Sequence, residues 1–159
     1  MIDRTNLKYR KSTCAMVIDN NNKVLIIQKL NWKESDWDFP GGGIDFGEVA
    51  SKTILRELNE ELGSNLFEIL KESNLVDRYE WPDEVIEMRR ITKKENYRGQ
   101  ERAQFLVKFN GDQKDLNIQK SEIQNHKWVN INELEKYFIF PNQWNKTNNL
   151  LKEFEINWK

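Results

Sequence analysis

The sequence predicts an α/β protein in which helices flank a mixed β-sheet. Strand-like and helix-like patterns alternate along the 159 residues, and the six Trp, eight Phe and four Tyr provide large apolar side chains for a core. A chain of this length accommodates one ordinary domain but hardly two. We therefore expect a single domain over residues 1–159.

The first two strands are expected to form a β-hairpin. The β-rich runs STCAMVID (12–19) and KVLIIQKL (23–30) are separated by three Asn residues, a residue type that tolerates the left-handed backbone of tight turns. Cys14, the only cysteine, lies in the first run, where we expect a small buried side chain. A single cysteine provides no disulfide framework and suits a cytoplasmic protein.

A helix is expected from Glu48 to Leu62. Its apolar residues recur at helical spacing within about 100° of one another, and they are Ile54, Leu55, Leu58 and Leu62. This stripe should pack on the sheet. Gly63 follows directly, at the position where a left-handed glycine commonly ends a helix.

Further strands and a helical last third complete the expected fold. The strand candidates are FEILKES (67–73), EVIEMRRI (84–91), AQFLVKF (103–109) and HKWVNI (126–131). In a strand, Arg89 and Arg90 would point to opposite faces, so at most one could reach a given cleft. Helices are expected at NELEKYF (132–138) and NQWNKTNNLLKEF (142–154). In the second of these, an apolar face would comprise Trp144, Leu150, Leu151 and Phe154.

The charge pattern argues against two kinds of partner. The formal net charge is −1 and no long basic run occurs, so nothing predicts strong binding to duplex nucleic acid or to an anionic membrane. No apolar run approaches the ~20 residues that span a bilayer. We expect a protein without membrane association.

Three glutamates share one face of the predicted helix. Glu57, Glu60 and Glu61 lie within a second arc of about 100°, away from the apolar stripe. Like charges at this spacing repel by a few tenths of a kcal/mol per pair on an exposed helix, and divalent cations would relieve that repulsion. Mg²⁺ binds oxygen ligands, commonly one or two carboxylates together with substrate phosphates. The alternative is a solvated acidic face, which is ordinary on helices.

The spacing around these glutamates resembles the signature of the Nudix hydrolases, which cleave nucleoside diphosphates linked to another group. The pattern G-x5-E-x7-R-E-L-x-E-E-x-G runs from Gly42 to Gly63, and so many specified positions rarely match by chance. Ser64 departs from the family, which usually has an aliphatic residue there. The resemblance implies a Nudix-type α/β/α sandwich with a mixed central sheet and a pyrophosphohydrolase activity.

The resemblance also assigns metal ligands. Glu57, Glu60 and Glu61 would hold two or three Mg²⁺ ions, for which Mn²⁺ could substitute, and one of these glutamates could act as a base. Such ions offset polyphosphate charge and lower the pKa of a bound water. The glycine loop 41–43 would let the backbone approach the metals, with Gly42 as a carbonyl ligand.

A supporting role follows for the arginine of the motif. Arg56 stays protonated and has a planar guanidinium group. In the Nudix family this arginine braces the acidic cluster by pairing with a glutamate, expected here to be Glu48.

Residues outside the motif resemble the branch of RNA 5′-pyrophosphohydrolases and asymmetrical dinucleoside tetraphosphate hydrolases. The similar segments are MIDRTNLKYR, DRYEWP, YRGQERAQFLVKFNGD, KSEIQNHKWV and LLKEF. The resemblance makes Glu122 a candidate additional metal ligand or base, with a solvated loop residue as the alternative. It also suggests that Arg10 and Tyr97 touch the nucleotide. Gln100 and Arg102 are further candidate substrate-binding residues.

Two aromatic residues flank the glycine loop. Trp37 and Phe39 could stack a base, which is worth ~1–3 kcal/mol where it occurs. Core packing is the alternative interpretation for both side chains.

Two departures leave the substrate open. The branch typically reads F-P-Q-G-G where this chain has Gly41 in place of Gln, and Arg102 is the only basic residue where RNA-processing members carry lysines. We expect a dinucleoside polyphosphate or the 5′-triphosphate end of RNA as substrate of a monomer or homodimer. The alternatives are mononucleotides such as dNTPs, nucleotide sugars, or a non-catalytic nucleotide-sensing module.

Overall fold

A computed structural model describes residues 1–156, and residues 157–159 of the expected domain lie outside the described range. The strands are β1 (Lys8–Ile18), β2 (Val24–Lys29), β3 (Phe67–Glu80), β4 (Tyr97–Phe109) and β5 (Ile123–Val129). The helices are α1 (Ala50–Leu62), α2 (Asp83–Thr92), α3 (Leu134–Tyr137) and α4 (Gln143–Glu153). Short 3₁₀ turns cover Gln113–Asp115 and Ile131–Glu133.

The strands form one mixed sheet in the order β3-β4-β1-β2-β5. The two central strands β1 and β4 run parallel over most of their length, whereas the remaining pairs are antiparallel. The predicted α/β class with a mixed sheet is therefore confirmed. The predicted hairpin of β1 and β2 is also present, and Asn22 in its turn has a left-handed φ of 59°.

The sheet separates two apolar clusters. Alternate residues of β1 point to opposite faces, so Ala15 and Val17 pack under α1 whereas Met16 packs under α4. Cys14 shares the cluster of Met16 and is buried as predicted. Helices cover both faces of the sheet, which gives the expected α/β/α layering.

The apolar faces of two helices follow the sequence pattern closely. Ile54, Leu58 and Leu62 of α1 are fully buried, whereas Leu55 of the predicted stripe is 37% exposed. On α4, Leu150, Leu151 and Phe154 are buried and Trp144 is partly buried against the same cluster. Helix α1 begins two residues later than predicted, so Glu48 precedes it in the loop.

The prediction of a strand at EVIEMRRI was wrong, because this segment forms helix α2. Pro82 precedes the helix, Asp83 and Glu84 occupy its first turn, and basic residues occupy its last turn. This distribution of charge complements the helix dipole. Arg89 and Arg90 therefore do not point to opposite sides of a strand. Instead, the Arg89 guanidinium lies 4.4 Å from the centre of the Trp81 ring.

Strands β3 and β4 are longer than predicted. They pair along most of their length in the antiparallel sense. The added residues are NLVDRYE (74–80) at the end of β3 and YRGQER (97–102) at the start of β4. In residues 1–156, no helix has the length and apolar character needed to cross a bilayer.

Candidate active site

The glycine loop lies directly against the acidic side of α1. A Cβ atom on Gly42 would collide with the Glu57 carboxyl group, and one on Gly43 would collide with the Arg10 guanidinium. A Cβ on Gly41, which has a φ of 158°, would collide with the Thr13 carbonyl of β1. The structure therefore brings the predicted loop and the predicted glutamates together, and Gly41 leaves no room for the glutamine that the related branch carries.

The Gly42 carbonyl, the predicted backbone metal ligand, is already engaged within the protein. It accepts hydrogen bonds from the Thr13 backbone N–H at 2.8 Å and from the Thr13 hydroxyl at 3.0 Å. These two bonds use both acceptor positions of the oxygen. Gly42 instead joins the loop to β1.

Arg56 organises the acidic side chains around it. Its Nε and Nη2 donate to the two carboxylate oxygens of Glu48 at 2.8 and 2.9 Å, a bidentate pair of the kind that the sequence suggested. Its Nη1 lies 3.1 Å from Glu57 and 3.2 Å from Glu60. The hydrogen bonds from Arg56, with a further one from Thr53, lower the pKa of Glu48 to about 2. We call Glu48, Glu57, Glu60 and Glu61, together with Arg56, the acidic cluster.

Glu61 is the buried member of the acidic cluster. The residue is 6% exposed, and its Oε2 has no hydrogen-bond partner among the residues that the structure describes. Burial raises its pKa, Lys29 lowers it, and Glu57 and Glu122 raise it further. A buried carboxylate beside other carboxylates is costly unless a cation compensates it.

Glu122 lies near enough to Glu61 for its charge to raise the pKa of Glu61. It occupies the turn before β5, where its side chain is exposed. Its backbone carbonyl accepts a 3.0 Å hydrogen bond from the Leu30 N–H, just after β2. The structure therefore brings this predicted residue towards the acidic cluster.

The donor set of the acidic cluster fits a hard divalent cation. All its candidate ligands are carboxylate oxygens, the type that Mg²⁺ and Mn²⁺ prefer, and the unpartnered Glu61 Oε2 is available to such an ion. In residues 1–156 no three acidic, His or Cys side chains are already gathered as a cage, because Glu57 and Glu60 lean towards Arg56. A bound cation would have to draw them from that arginine.

Basic and amide groups line the other side of the glycine loop. Arg10 Nη1 donates to Gln100 Oε1 at 2.8 Å, and Gln100 Nε2 lies 2.6 Å from the Tyr79 hydroxyl. Lys29, the last residue of β2, lies 3.5 Å from the Gly41 carbonyl. Arg10 and Gln100 were predicted from the sequence to contact the substrate, whereas Lys29 was not. The one feature of the sequence that could have indicated Lys29 is a basic residue at the end of a mainly apolar strand.

Arg102 was predicted to touch the nucleotide, but its side chain is only 12% exposed and its charge is already paired within the protein. Its Nε and Nη2 donate to Asp77 at 3.0 and 2.7 Å, and its Nη1 donates to Asp38 at 2.9 Å. Lys146 of α4 donates to the other Asp77 oxygen at 2.7 Å. Burial by itself would raise the pKa of Asp77, but Arg102 and Lys146 hold it below its ordinary value. We call Asp38, Asp77, Arg102 and Lys146 the buried ion network.

The two aromatic candidates lie in the core. Trp37 is 6% exposed and meets Tyr137 edge to face, and Phe39 is 4% exposed and meets Phe138 in the same way at 5.0 Å. Neither ring presents an open face for a base, so the alternative of core packing applies. Tyr97 is partly exposed at the start of β4, beside Lys8 of β1.

Comparison with protein families identifies a match over most of the chain. The model described as NUDIX domain matches residues 8–152. An RNA pyrophosphohydrolase of Sphingopyxis alaskensis is 35% identical over 143 residues, covering 87% of this chain and 89% of that protein. An RNA pyrophosphohydrolase of Rickettsia prowazekii is 34% identical over 152 residues, covering 94% of this chain and 92% of that protein.

Solved structures share the fold at low sequence identity. A C. elegans Ap4A hydrolase has a TM-score of 0.62 at 17% identity, covering 91% of this chain and 95% of that one. The E. coli dihydroneopterin triphosphate pyrophosphohydrolase has a TM-score of 0.64 at 14% identity, covering 91% of this chain and 96% of that one. At these identities the similarity concerns the fold alone.

Proposed function

The chain belongs to the Nudix family of pyrophosphohydrolases, and from this premise we propose that it hydrolyses a pyrophosphate bond at the 5′-triphosphate end of RNA. The relatives named RNA pyrophosphohydrolase extend over most of the chain, and they confirm the branch predicted from the sequence. The observation that carries the proposal is the acidic cluster, in which a buried carboxylate lies beside two others on a helix that faces the glycine loop.

A dinucleoside polyphosphate is the second candidate substrate. The sequence resembles a branch that contains both kinds of enzyme, and Gly41 departs from the glutamine of that branch as a whole, so this position does not select RNA over a dinucleoside polyphosphate. Both substrates contain the same phosphoanhydride linkage, so the same acidic cluster would serve either reaction.

The acidic residues would bind divalent metal. Glu57, Glu60 and Glu61 would hold two or three Mg²⁺ ions, with Mn²⁺ as a possible substitute and Glu122 as a further ligand. When bound, such ions neutralise polyphosphate charge and generate a nucleophilic water at neutral pH. Glu61 or Glu122 would accept the proton of that water.

The surrounding residues would orient the cluster and the substrate. Arg56 holds Glu48 in a bidentate pair and keeps Glu57 and Glu60 close together. Arg10 and Gln100, joined by a hydrogen bond, would bind phosphate oxygens from the opposite side of the loop, together with Lys29. Fixed donors around a polyphosphate stabilise the charge that develops during the transfer.

A product-resolved substrate panel tests the proposed function. Triphosphorylated RNA, diadenosine tetraphosphate, dNTPs and nucleotide sugars are each incubated with Mg²⁺, and in parallel with Mn²⁺. We expect RNA to lose its terminal phosphates and to be left with a 5′-monophosphate. If the preferred reaction were instead the hydrolysis of diadenosine tetraphosphate to ATP and AMP, the second candidate substrate would be supported. No product from any substrate would contradict both and favour the nucleotide-sensing module.

The cellular context is part of the same proposal. We propose a cytoplasmic enzyme that acts as a monomer or homodimer. Light scattering of the purified protein measures the oligomeric state directly.

A further inference from the structure

A small cavity lies between the glycine loop and strand β1, and Glu57 is not among the residues that line it. Its volume is about 20 Å³, and its walls include Arg10, Ser12, Lys29, Gly41 and Arg102. A space of this size holds one water or one oxygen atom of a larger group. The cavity is therefore too small for a nucleobase but large enough for part of a phosphate.

Ser12 provides an unexplained polar group in this cavity. The residue is 1% exposed, and its hydroxyl has no hydrogen-bond partner within the described part of the chain. The backbone of Ser12 is held between Arg102 of β4 and Gly43 of the loop, so the side chain cannot move to solvent without disrupting the sheet. Buried hydroxyl groups almost always have a partner, and an unpaired one costs free energy.

The charges around the cavity favour an anion as that partner. The Lys29 ammonium makes one hydrogen bond among the described residues, a long one of 3.5 Å to the Gly41 carbonyl, and its charge also acts on Glu61. Arg10 lies 3.8 Å from the Glu95 carboxylate, which is a weak pair. Arg102, by contrast, is fully engaged with Asp38 and Asp77. Lys29 and Arg10 therefore have charge available for a ligand, whereas Arg102 contributes only a wall.

We propose that this cavity receives one non-bridging oxygen of the substrate's polyphosphate, with the Ser12 hydroxyl donating a hydrogen bond to it. Lys29 and Arg10 would neutralise the charge of the same phosphate. This inference rests on the proposed function and adds Ser12 as a residue that contacts substrate. It also accounts for Gly41, since the loop backbone must stay close to β1 for a phosphate oxygen to reach the strand.

The test uses inorganic pyrophosphate as the ligand and Ser12→Ala and Ser12→Val as the variants. Calorimetric titration gives the dissociation constant, with Mg²⁺ and with EDTA. Loss of one hydrogen bond to a charged group corresponds to an increase in that constant of about tenfold or more. We expect this increase for Ser12→Ala and a larger one for Ser12→Val, whose added methyl groups fill the cavity. Ser35→Ala, at an exposed serine of the loop after β2, is the matched control and should bind like the wild type.

Thermal unfolding of the same variants separates binding from structure. Because Ser12→Ala removes an unpaired buried hydroxyl, its Tm without ligand should equal or exceed that of the wild type. A purely structural serine would instead lower Tm and leave the dissociation constant unchanged. Ser12→Ala supplies the deciding value if the bulkier variant does not fold.

Two results would overturn the inference. One is a pyrophosphate affinity within twofold of wild type in Ser12→Ala, which would mean that the cavity holds only water. The other is a wild-type protein that does not bind pyrophosphate, with or without Mg²⁺. Failure of the proposed function is distinguishable, because it would leave Ser12-dependent pyrophosphate binding intact while no substrate of the panel is hydrolysed.

Discussion

The acidic cluster and the buried ion network are both groups of charged side chains, but their charges balance differently. The network has two carboxylates, Asp38 and Asp77, and two cations, Arg102 and Lys146. In the acidic cluster, three of the four carboxylates pair with the one cation Arg56. The fourth, Glu61, has no ion pair with Arg56, and one of its oxygens is left without a hydrogen-bond partner among the described residues. A balanced buried group can support structure without a ligand, whereas a surplus of one charge calls for a ligand of the opposite charge.

The largest expected effect is on catalysis, from Glu61→Gln. The substitution removes the buried carboxylate that is proposed to bind metal, and a loss of several kcal/mol of transition-state stabilisation corresponds to a decrease of about 10³-fold in kcat. The Tm without metal should be unchanged or higher, because the costly buried carboxylate is gone. Steady-state kinetics with Mg²⁺ and thermal unfolding in EDTA measure the two quantities. Near-normal turnover in Glu61→Gln would show that Glu61 is not part of the proposed metal site.

The next largest effect is on stability, from Arg102→Met in the buried ion network. The change leaves Asp38 and Asp77 buried without a cation between them, and breaking a buried pair in this way costs about 3–5 kcal/mol of unfolding free energy. Urea denaturation measures that loss. The triple variant that also carries Asp38→Asn and Asp77→Asn should recover part of the stability, because no buried carboxylate remains unpaired and only the partly exposed Lys146 loses its partner. A single variant as stable as the wild type would contradict the structural role.

A smaller effect on catalysis is expected from Glu48→Gln. This residue supports the cluster through its bidentate pair with Arg56, and supporting residues of metal sites typically contribute 10–100-fold, so kcat should fall by about that factor. Glu34→Gln, in the exposed loop after β2, is the matched control. Equal kcat values for the two variants would show that Arg56 needs no support from Glu48.

The smallest effect is on the pH dependence of stability, from Glu80→Gln. Hydrogen bonds from Arg98 lower the pKa of Glu80 from 4.5 to about 2. Burial opposes this effect, and further hydrogen bonds from Tyr9 and Arg4 add to it. Because the folded state has the lower pKa, its stabilising contribution is present above pH 4.5 and is lost as the pH falls towards about 2. The free energy of unfolding, measured by urea denaturation at several pH values in this range, should change less with pH in Glu80→Gln than in the Glu34→Gln control. The same slope in both would mean that the Glu80 pairs are not maintained in solution.

The sequence predicted the acidic cluster but not the buried ion network, and the reason is distance along the chain. Glu57, Glu60 and Glu61 are neighbours on one helix, so the helical repeat alone places them on one face. The network joins a loop, two strands and a helix, and its members come from positions 38, 77, 102 and 146. No local pattern indicates such a contact, so the sequence predicted Arg102 as a substrate-binding residue and not as a member of an ion network.

The error at α2 has a similar cause. Val85, Ile86 and Ile91 suggested a strand, while Ile86 is the only residue of the helix that is buried. The information that determined the structure lay in the charges at its two ends, which periodicity of apolar residues does not detect. Where one apolar face was wide, as in α1, the sequence identified the helix and placed its start only two residues too early.

The most direct test of the account is the change in Tm on adding Mg²⁺, measured for the wild type, Glu61→Gln and Asp77→Asn. A ligand at ten times its dissociation constant stabilises the folded state by about 1.4 kcal/mol. We expect Mg²⁺ to raise the Tm of the wild type and to raise that of Asp77→Asn by a similar increment from a lower starting value. Glu61→Gln should show little or no increase. An equal increase in all three proteins would contradict the claim that the unbalanced acidic cluster is the metal site.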